Sequence, residues 1–239
     1  MNDPKRIQKW LTVVNGYDQE KAAIWKKLSA INTQLGDNKK SIDCMIYLLE
    51  TYTEKNASKG RDDAFSCIVS IIQEPKILSM DNLLSLKAVQ FLEGESIFDL
   101  LQIFISGDLG EYESFRKKNS KFLTENKIND EFCLKKLRIL CFMEMSNNST
   151  ELTYEAISNK LKIDVSQVEG FVVDVVHQNV VNCKIDQVQR KVNILSALPR
   201  SFGIEEWKKL QQNLGEWKCS LTEVKSSLRN MSTNHVTHA

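Results

Sequence analysis

Proline and glycine are scarce in this chain, at 3 and 9 of 239 residues. An all-β fold needs many tight turns, and these two residues supply most of them, so the counts argue against one. Histidine is scarce too. There are three, and His235 and His238 fall in a polar tail. His177 has no Cys or His near it in sequence and reads as a surface or packing residue. No C-x-x-C pair occurs. The cysteines stand apart at 44, 67, 133, 141, 183 and 219, which removes the usual zinc spacings and leaves small apolar thiols.

Other absences narrow the function. Neither G-x-x-x-x-G-K-[ST] nor G-x-G-x-x-G is present. Gly107-Asp108-Leu109-Gly110 joins two helical stretches with no strand before it, so it is not a phosphate loop. The carboxylates are scattered over helix surfaces and form no catalytic cluster. The expectation is no enzyme, no metal and no cofactor. A net charge of +1 removes the bulk electrostatic case for nucleic acid or membrane surfaces. No apolar run approaches the roughly 20 residues of a membrane span. The start, Met1-Asn2-Asp3-Pro4-Lys5-Arg6-Ile7, has no apolar signal region, which points to reduced thiols in the cytosol or nucleus. The sequons at Asn56, Asn147, Asn148 and Asn230 are then chance matches.

What the chain does have is 42% hydrophobic and 26% charged residues, enough for a real core. The first half reads as amphipathic helices. Ala22, Trp25, Leu28, Ile31 and Leu35 recur at three- and four-residue steps and predict a helix over 18–35. Similar stripes predict helices over 41–53, 56–73, 81–91, 96–105 and 109–123, with Arg116, Lys117, Lys118 and Lys121 on the outer face of the last. Short helices on short polar links favour antiparallel neighbours stacked as a right-handed solenoid. No strict 34-residue repeat is visible, so the pairs are uneven.

Around Asn129 the pattern changes. A strongly apolar helix over 131–145 is followed by a short helix ending at Leu161, with Thr153 as its N-cap. Ser166-Gln167-Val168-Glu169 reads as a capping box opening a third helix to Gln178. Two alternating runs then form a hairpin: Val181, Cys183 and Ile185 in one, Val192 and Ile194 in the other. Three helices followed by a hairpin is the order of a winged helix. Its third helix, the usual duplex reader, has no Lys or Arg and carries Glu169 and Asp174, so sequence-specific DNA readout is not expected. The hairpin carries Lys184, Arg190 and Lys191, which read first as a solvated wing and second as a weak RNA contact.

After Pro199 comes a sustained heptad seam: Trp207, Leu210, Leu214, Trp217, Leu221, Val224, Leu228 and Met231. Each side chain would gain roughly 1.5–3 kcal/mol on full burial. A stripe of this length favours partner helices over water. The expected organisation is mainly α: helical repeats over 1–128, a winged helix with a hairpin wing over 129–198, a long C-terminal helix over 199–232 and a disordered tail over 233–239.

Several runs add a resemblance. They are Tyr52-Thr53-Glu54-Lys55-Asn56-Ala57-Ser58, Leu84 to Glu95, Cys183 to Val192, and Pro199-Arg200-Ser201-Phe202-Gly203 leading to Trp207. With the element order, they resemble the PCI-domain family, whose members build the proteasome lid, the COP9 signalosome and eukaryotic translation initiation factor 3. The initiation-factor members are the nearer likeness, from about Ile7 to Met231. The resemblance implies a cytoplasmic, non-catalytic scaffold subunit of initiation factor 3. It would support recruitment of mRNA and initiator tRNA to the small ribosomal subunit, which it meets through the complex. The alternative is a PCI scaffold of the signalosome or lid, and a third reading is a free nucleic-acid-binding winged helix. In that family, modules pair edge to edge through winged helices and gather their C-terminal helices into a bundle. Carried over, the wing interface is Val181, Cys183, Lys184, Ile185, Arg190, Lys191 and Val192, and the bundle helix is the seam from Trp207 to Met231. Family arrays usually hold further repeats before the position of Ile7, so the resemblance implies either a short isoform or a sequence given without its N-terminal repeats.

Overall fold

The computed structural model describes residues 3–13, 18–54 and 56–236, without the side chains of residues 18, 205 and 230–236. Met231, the last seam position, therefore lies outside the described side chains. The chain forms two compact units, Met1–Ser201 and Phe202–Ala239.

The first unit opens with helices α1 (Pro4–Val13), α2 (Asp18–Gln34), α3 (Asn38–Glu50), α4 (Arg61–Gln73), α5 (Lys87–Gln90), α6 (Ser96–Ser106), α7 (Leu109–Lys118) and α8 (Ser120–Glu125). Helix α1 is not among the helices read from the sequence. Two expected helices are partly 3-10: Ala57–Gly60 precedes α4, and Asp81–Ser85 precedes α5. At Gly60 an added Cβ would stand 2.7 Å from the Tyr52 ring, so the turn and that ring pack only with glycine there. The expected helix over 109–123 breaks at Asn119. The break places the Phe122 ring edge-on to both Phe65 and Phe115, at centroid distances of 6.1 and 6.4 Å. Gly107 to Gly110 is a helix cap. The Asp108 carboxylate accepts from the N–H groups of Gly110 and Glu111 at 2.9 and 3.0 Å. These bonds, led by Glu111, hold it below the usual carboxylate range.

The chain continues as α9 (Asp130–Asn148), β1 (Glu151–Thr153), α10 (Tyr154–Leu161), α11 (Val168–His177), β2 (Val181–Asp186) and β3 (Lys191–Ala197). The sheet is antiparallel in the order β1-β3-β2, with a register shift between Asn182 and Cys183. Helix, strand, two helices and a hairpin make the winged helix. Thr153 caps α10 as expected, accepting from the Ala156 N–H at 3.2 Å. The capping box at Ser166 does not form. Val165–Gln167 is a 3-10 turn, and the cap residue of α11 is Gln167, which makes no side-chain cap bond.

One apolar core runs from the repeats into the winged helix. It joins Ile68, Leu100 and Phe104 to Leu140, Phe142, Ile157, Val172 and Val192 without a break at residue 128. Long cations close the ends of helices around it. The Lys136 ammonium of α9 donates to the Ile71 and Glu74 carbonyls at the end of α4, at 2.6 and 2.8 Å. Arg138 donates to the Leu161 and Lys162 carbonyls at the end of α10. Each fills carbonyls that a helix C-terminus leaves open, where the helix dipole favours positive charge. At the start of α9, Asp130 accepts from the Tyr112 hydroxyl at 2.9 Å and pairs with Arg116 at 3.1 Å.

The second unit is one helix, α12 (Ile204–Val236), which runs past the boundary expected at Ser232. Glu206 accepts from the Gly203 N–H at 2.9 Å at its start, and Phe202 sits edge-on to Trp207 at 5.0 Å.

Candidate assembly surfaces

The wing offers less side chain than its sequence promises. Val181 is 2% exposed and Val192 is 0% exposed. Both point into the core. Val192 lies on the central strand, so neither its side chain nor its main chain is open to a partner, and it leaves the candidate interface. Cys183 and Ile185 are half-buried against the same core. Lys184 is exposed on β2. Lys191 bridges to Glu151 at 3.3 Å across the β1–β3 ladder. Arg190 turns the hairpin at φ +52°, and its carbonyl accepts from the Tyr154 N–H at 3.0 Å. Among the described residues, β2 pairs with β3 on one side only, which leaves its other edge open. An edge strand presents unpaired N–H and C=O groups, ready to pair with another strand.

The turn of the wing is tied to α11. The Glu169 carboxylate accepts from the Tyr154 hydroxyl at 3.0 Å and from the Gln187 amide at 2.9 Å. Burial, and then Glu169, pushes the Tyr154 phenol up to about 12. The acid that argued against duplex reading thus has an internal task as well. Cations beside α11 are also engaged: Lys162 pairs with Glu113 at 2.7 Å and Lys160 with Asp108 at 3.8 Å, both across to α7 or its cap. The exposed positions of α11 include Gly170, Val173 and Asp174. That face carries no Lys or Arg, and its one basic side chain is His177 at the end of the helix.

The helix of the second unit is different. Its seam residues Trp207, Leu210, Leu214, Trp217, Leu221, Val224 and Leu228 range from 39% to 69% exposed. Along the helix, Gln212 donates to Glu216 at 2.9 Å. Burying what these seven side chains still expose is worth roughly 6–12 kcal/mol before the cost of ordering and association.

No group of three or more metal-binding side chains occurs among the described residues. The cysteines are free thiols. Burial raises Cys67 to about 12 and Cys133 to about 11, which suits packing and opposes nucleophilic use. No described helix is long and apolar enough to cross a membrane.

Two buried cations went unread in the sequence. Lys136 had a signal, because it shares an inward stripe with Cys133, Leu137 and Leu140. Arg200 had none, because its acceptors lie on α6 and α9, far back in the chain.

The PCI domain profile matches residues 116–196, which run from the last turn of α7 through the winged helix. The chain is 41% identical to eukaryotic translation initiation factor 3 subunit M of Schistosoma japonicum over 98% of its own length and 61% of that protein. The subunit of Nematostella vectensis is 40% identical over 82% of this chain and 53% of its own. The Homo sapiens subunit is 37% identical over 95% of this chain and 61% of its own. The chain spans about three fifths of the length of the curated relatives it matches.

Proposed function

From the premise that this chain is a PCI-domain relative of subunit M of eukaryotic translation initiation factor 3, similar over nearly its whole length, we propose that it is a non-catalytic scaffold subunit of that factor. It works in the cytoplasm, and through the complex it meets the small ribosomal subunit and supports recruitment of mRNA and initiator tRNA. The observation that carries the scaffold reading is the exposed seam of α12. Seven large apolar side chains on one helix stand open to solvent, a surface that soluble proteins keep only to bury against a partner. The partners are other subunits that bring helices to a common bundle. The free edge of β2 supports a second contact, by strand pairing with the winged helix of a neighbouring subunit. Within the wing, the main chain of β2 and the side chain of Lys184 carry that contact, with Cys183, Ile185, Arg190 and Lys191 flanking it. Any RNA contact is weak and electrostatic.

The test is affinity purification of the tagged chain followed by mass spectrometry. Recovery of initiation factor 3 subunits supports the proposal. Recovery of proteasome-lid or signalosome subunits places the chain in the alternative complex. Nucleic acid without any of these subunits refutes the scaffold reading.

A further inference from the structure

Arg200 is one of two charged side chains buried among the described residues. It is also the last charged residue before α12. Its guanidinium closes the end of α6. Nε and Nη2 donate to the Phe104 carbonyl at 3.3 and 3.0 Å, and Nη2 donates to the carbonyls of Ile103 at 2.9 Å and Gly107 at 2.7 Å. Nη1 donates to the Glu144 carboxylate of α9 at 2.9 Å. At Gly107 an added Cβ would stand 2.8 Å from the Ile103 Cα, so this end of α6 packs tightly. One planar fork therefore joins a repeat helix, the first helix of the winged helix and the segment that leaves the first unit. A lysine, with one compact ammonium, cannot reproduce this set of bonds.

Buried charges are expensive to desolvate, and well-packed apolar residues often stabilise as well or better. The position is informative: the anchor sits at the end of the first unit, directly before the helix that carries the exposed seam. We propose that Arg200 is a positioning residue for assembly. It pins the point at which the chain leaves the first unit, so that the seam begins from a set place when partner subunits engage it. This rests on the reading of the seam as the partner anchor. Two contacts presented from a set point bind as one; a loose tether between them lowers the effective concentration of the second.

The experiment uses the full tagged chain and reads recovery of the other initiation factor 3 subunits, with thermal melting as a fold control. A Gly-Ser insertion of about ten residues between Ser201 and Phe202 leaves every Arg200 contact in place and lets the start of the seam roam over about 17 Å. Recovery should fall about tenfold with the main melting transition unchanged. Arg200→Met, assayed well below its own melting temperature, should show part of this loss, because Leu198, two residues earlier, stays bonded to Asn147 and Val180. Wild-type recovery by the insertion variant, with Leu221→Asp/Leu228→Asp failing to assemble, overturns the positioning role and leaves the seam reading intact. Wild-type recovery by all three variants overturns both. Wild-type recovery by folded Arg200→Met alone removes the role from Arg200.

Discussion

Replacing Lys136 with Met tests how the repeats are joined to the winged helix. Lys136 is 2% exposed, and its ammonium is held by two carbonyls at the end of α4. Burial pushes it down from 10.5 to about 7. In the unfolded chain it returns to the ordinary lysine value, so between pH 7 and 10.5 the unfolded state binds more protons than the folded state. Stability from this residue therefore rises with pH across that window, by at most about 1.4 kcal/mol per pH unit. Lys136→Met keeps the length of the side chain and deletes the titration. It loses two hydrogen bonds from a charged donor, each worth roughly 1.5–3 kcal/mol. It also removes the cost of burying the ammonium, which is of the same order. Near pH 7 the two nearly cancel, to within about 1 kcal/mol. By pH 9 the wild type has gained about 2 kcal/mol that the variant cannot. For a chain of this size that opens a gap of about 4–8 °C in Tm. The Cys67 thiol, raised by burial alone, costs stability above pH 9 in both proteins and cancels in the difference, whereas Cys133 feels the Lys136 charge and does not, so the comparison stops at pH 9. Urea unfolding at pH 7, 8 and 9, followed by circular dichroism, measures the gap. Parallel stability curves for the two proteins would refute the claim that a buried, titrating ammonium holds the end of α4.

Phe142, fully buried and edge-on to Phe171 at 5.7 Å, should cost about 3–5 kcal/mol when cut to Ala. Because the core is continuous, the loss should appear in one transition of the first unit rather than in the winged helix alone. Short DNA duplexes should bind weakly and without sequence preference, and salt should abolish the binding; a salt-resistant, selective shift would contradict the reading of α11. If single-stranded RNA binds, Arg190→Glu with Lys191→Glu should weaken it, and an unchanged affinity would clear the wing of that role. Metal analysis of the purified chain should find no stoichiometric zinc.

The parts legible in the sequence were those set by local spacing. The seam of α12 follows from steps of three and four, and the Thr153 cap and the hairpin strands follow from patterns a few residues long. The parts missed depend on distant partners. Strand β1 is three residues long with only Leu152 buried, and it is a strand because β3 pairs with it. The break at Asn119 brings Phe122 edge-on to Phe65, a ring that no local window around residue 119 contains. Within the candidate site, alternation already implied that one face of the hairpin turns inward. Val181 and Val192 were nevertheless carried to the interface by resemblance, and burial places them in the core. Glu169 read as a charge that repels a duplex; its bonds to Tyr154 and Gln187 need contacts that sequence spacing does not reveal.

The α12 seam is the proposed anchor to partner subunits. Replacing Leu221 and Leu228, 69% and 62% exposed, by Asp puts two charges where partner helices should pack. Each should cost several kcal/mol, on the order of 2–5, in an interface without counter-charges. Both positions are exposed, so the folded chain should lose little. The direct measurement is the Tm of the tagged double variant together with the initiation factor 3 subunits it recovers. The expected result is a Tm within about 2 °C of wild type and loss of those subunits. A variant that unfolds makes the helix an intramolecular strut, and a variant that still assembles moves the anchor to the wing around Lys184; either result removes the seam as the partner anchor.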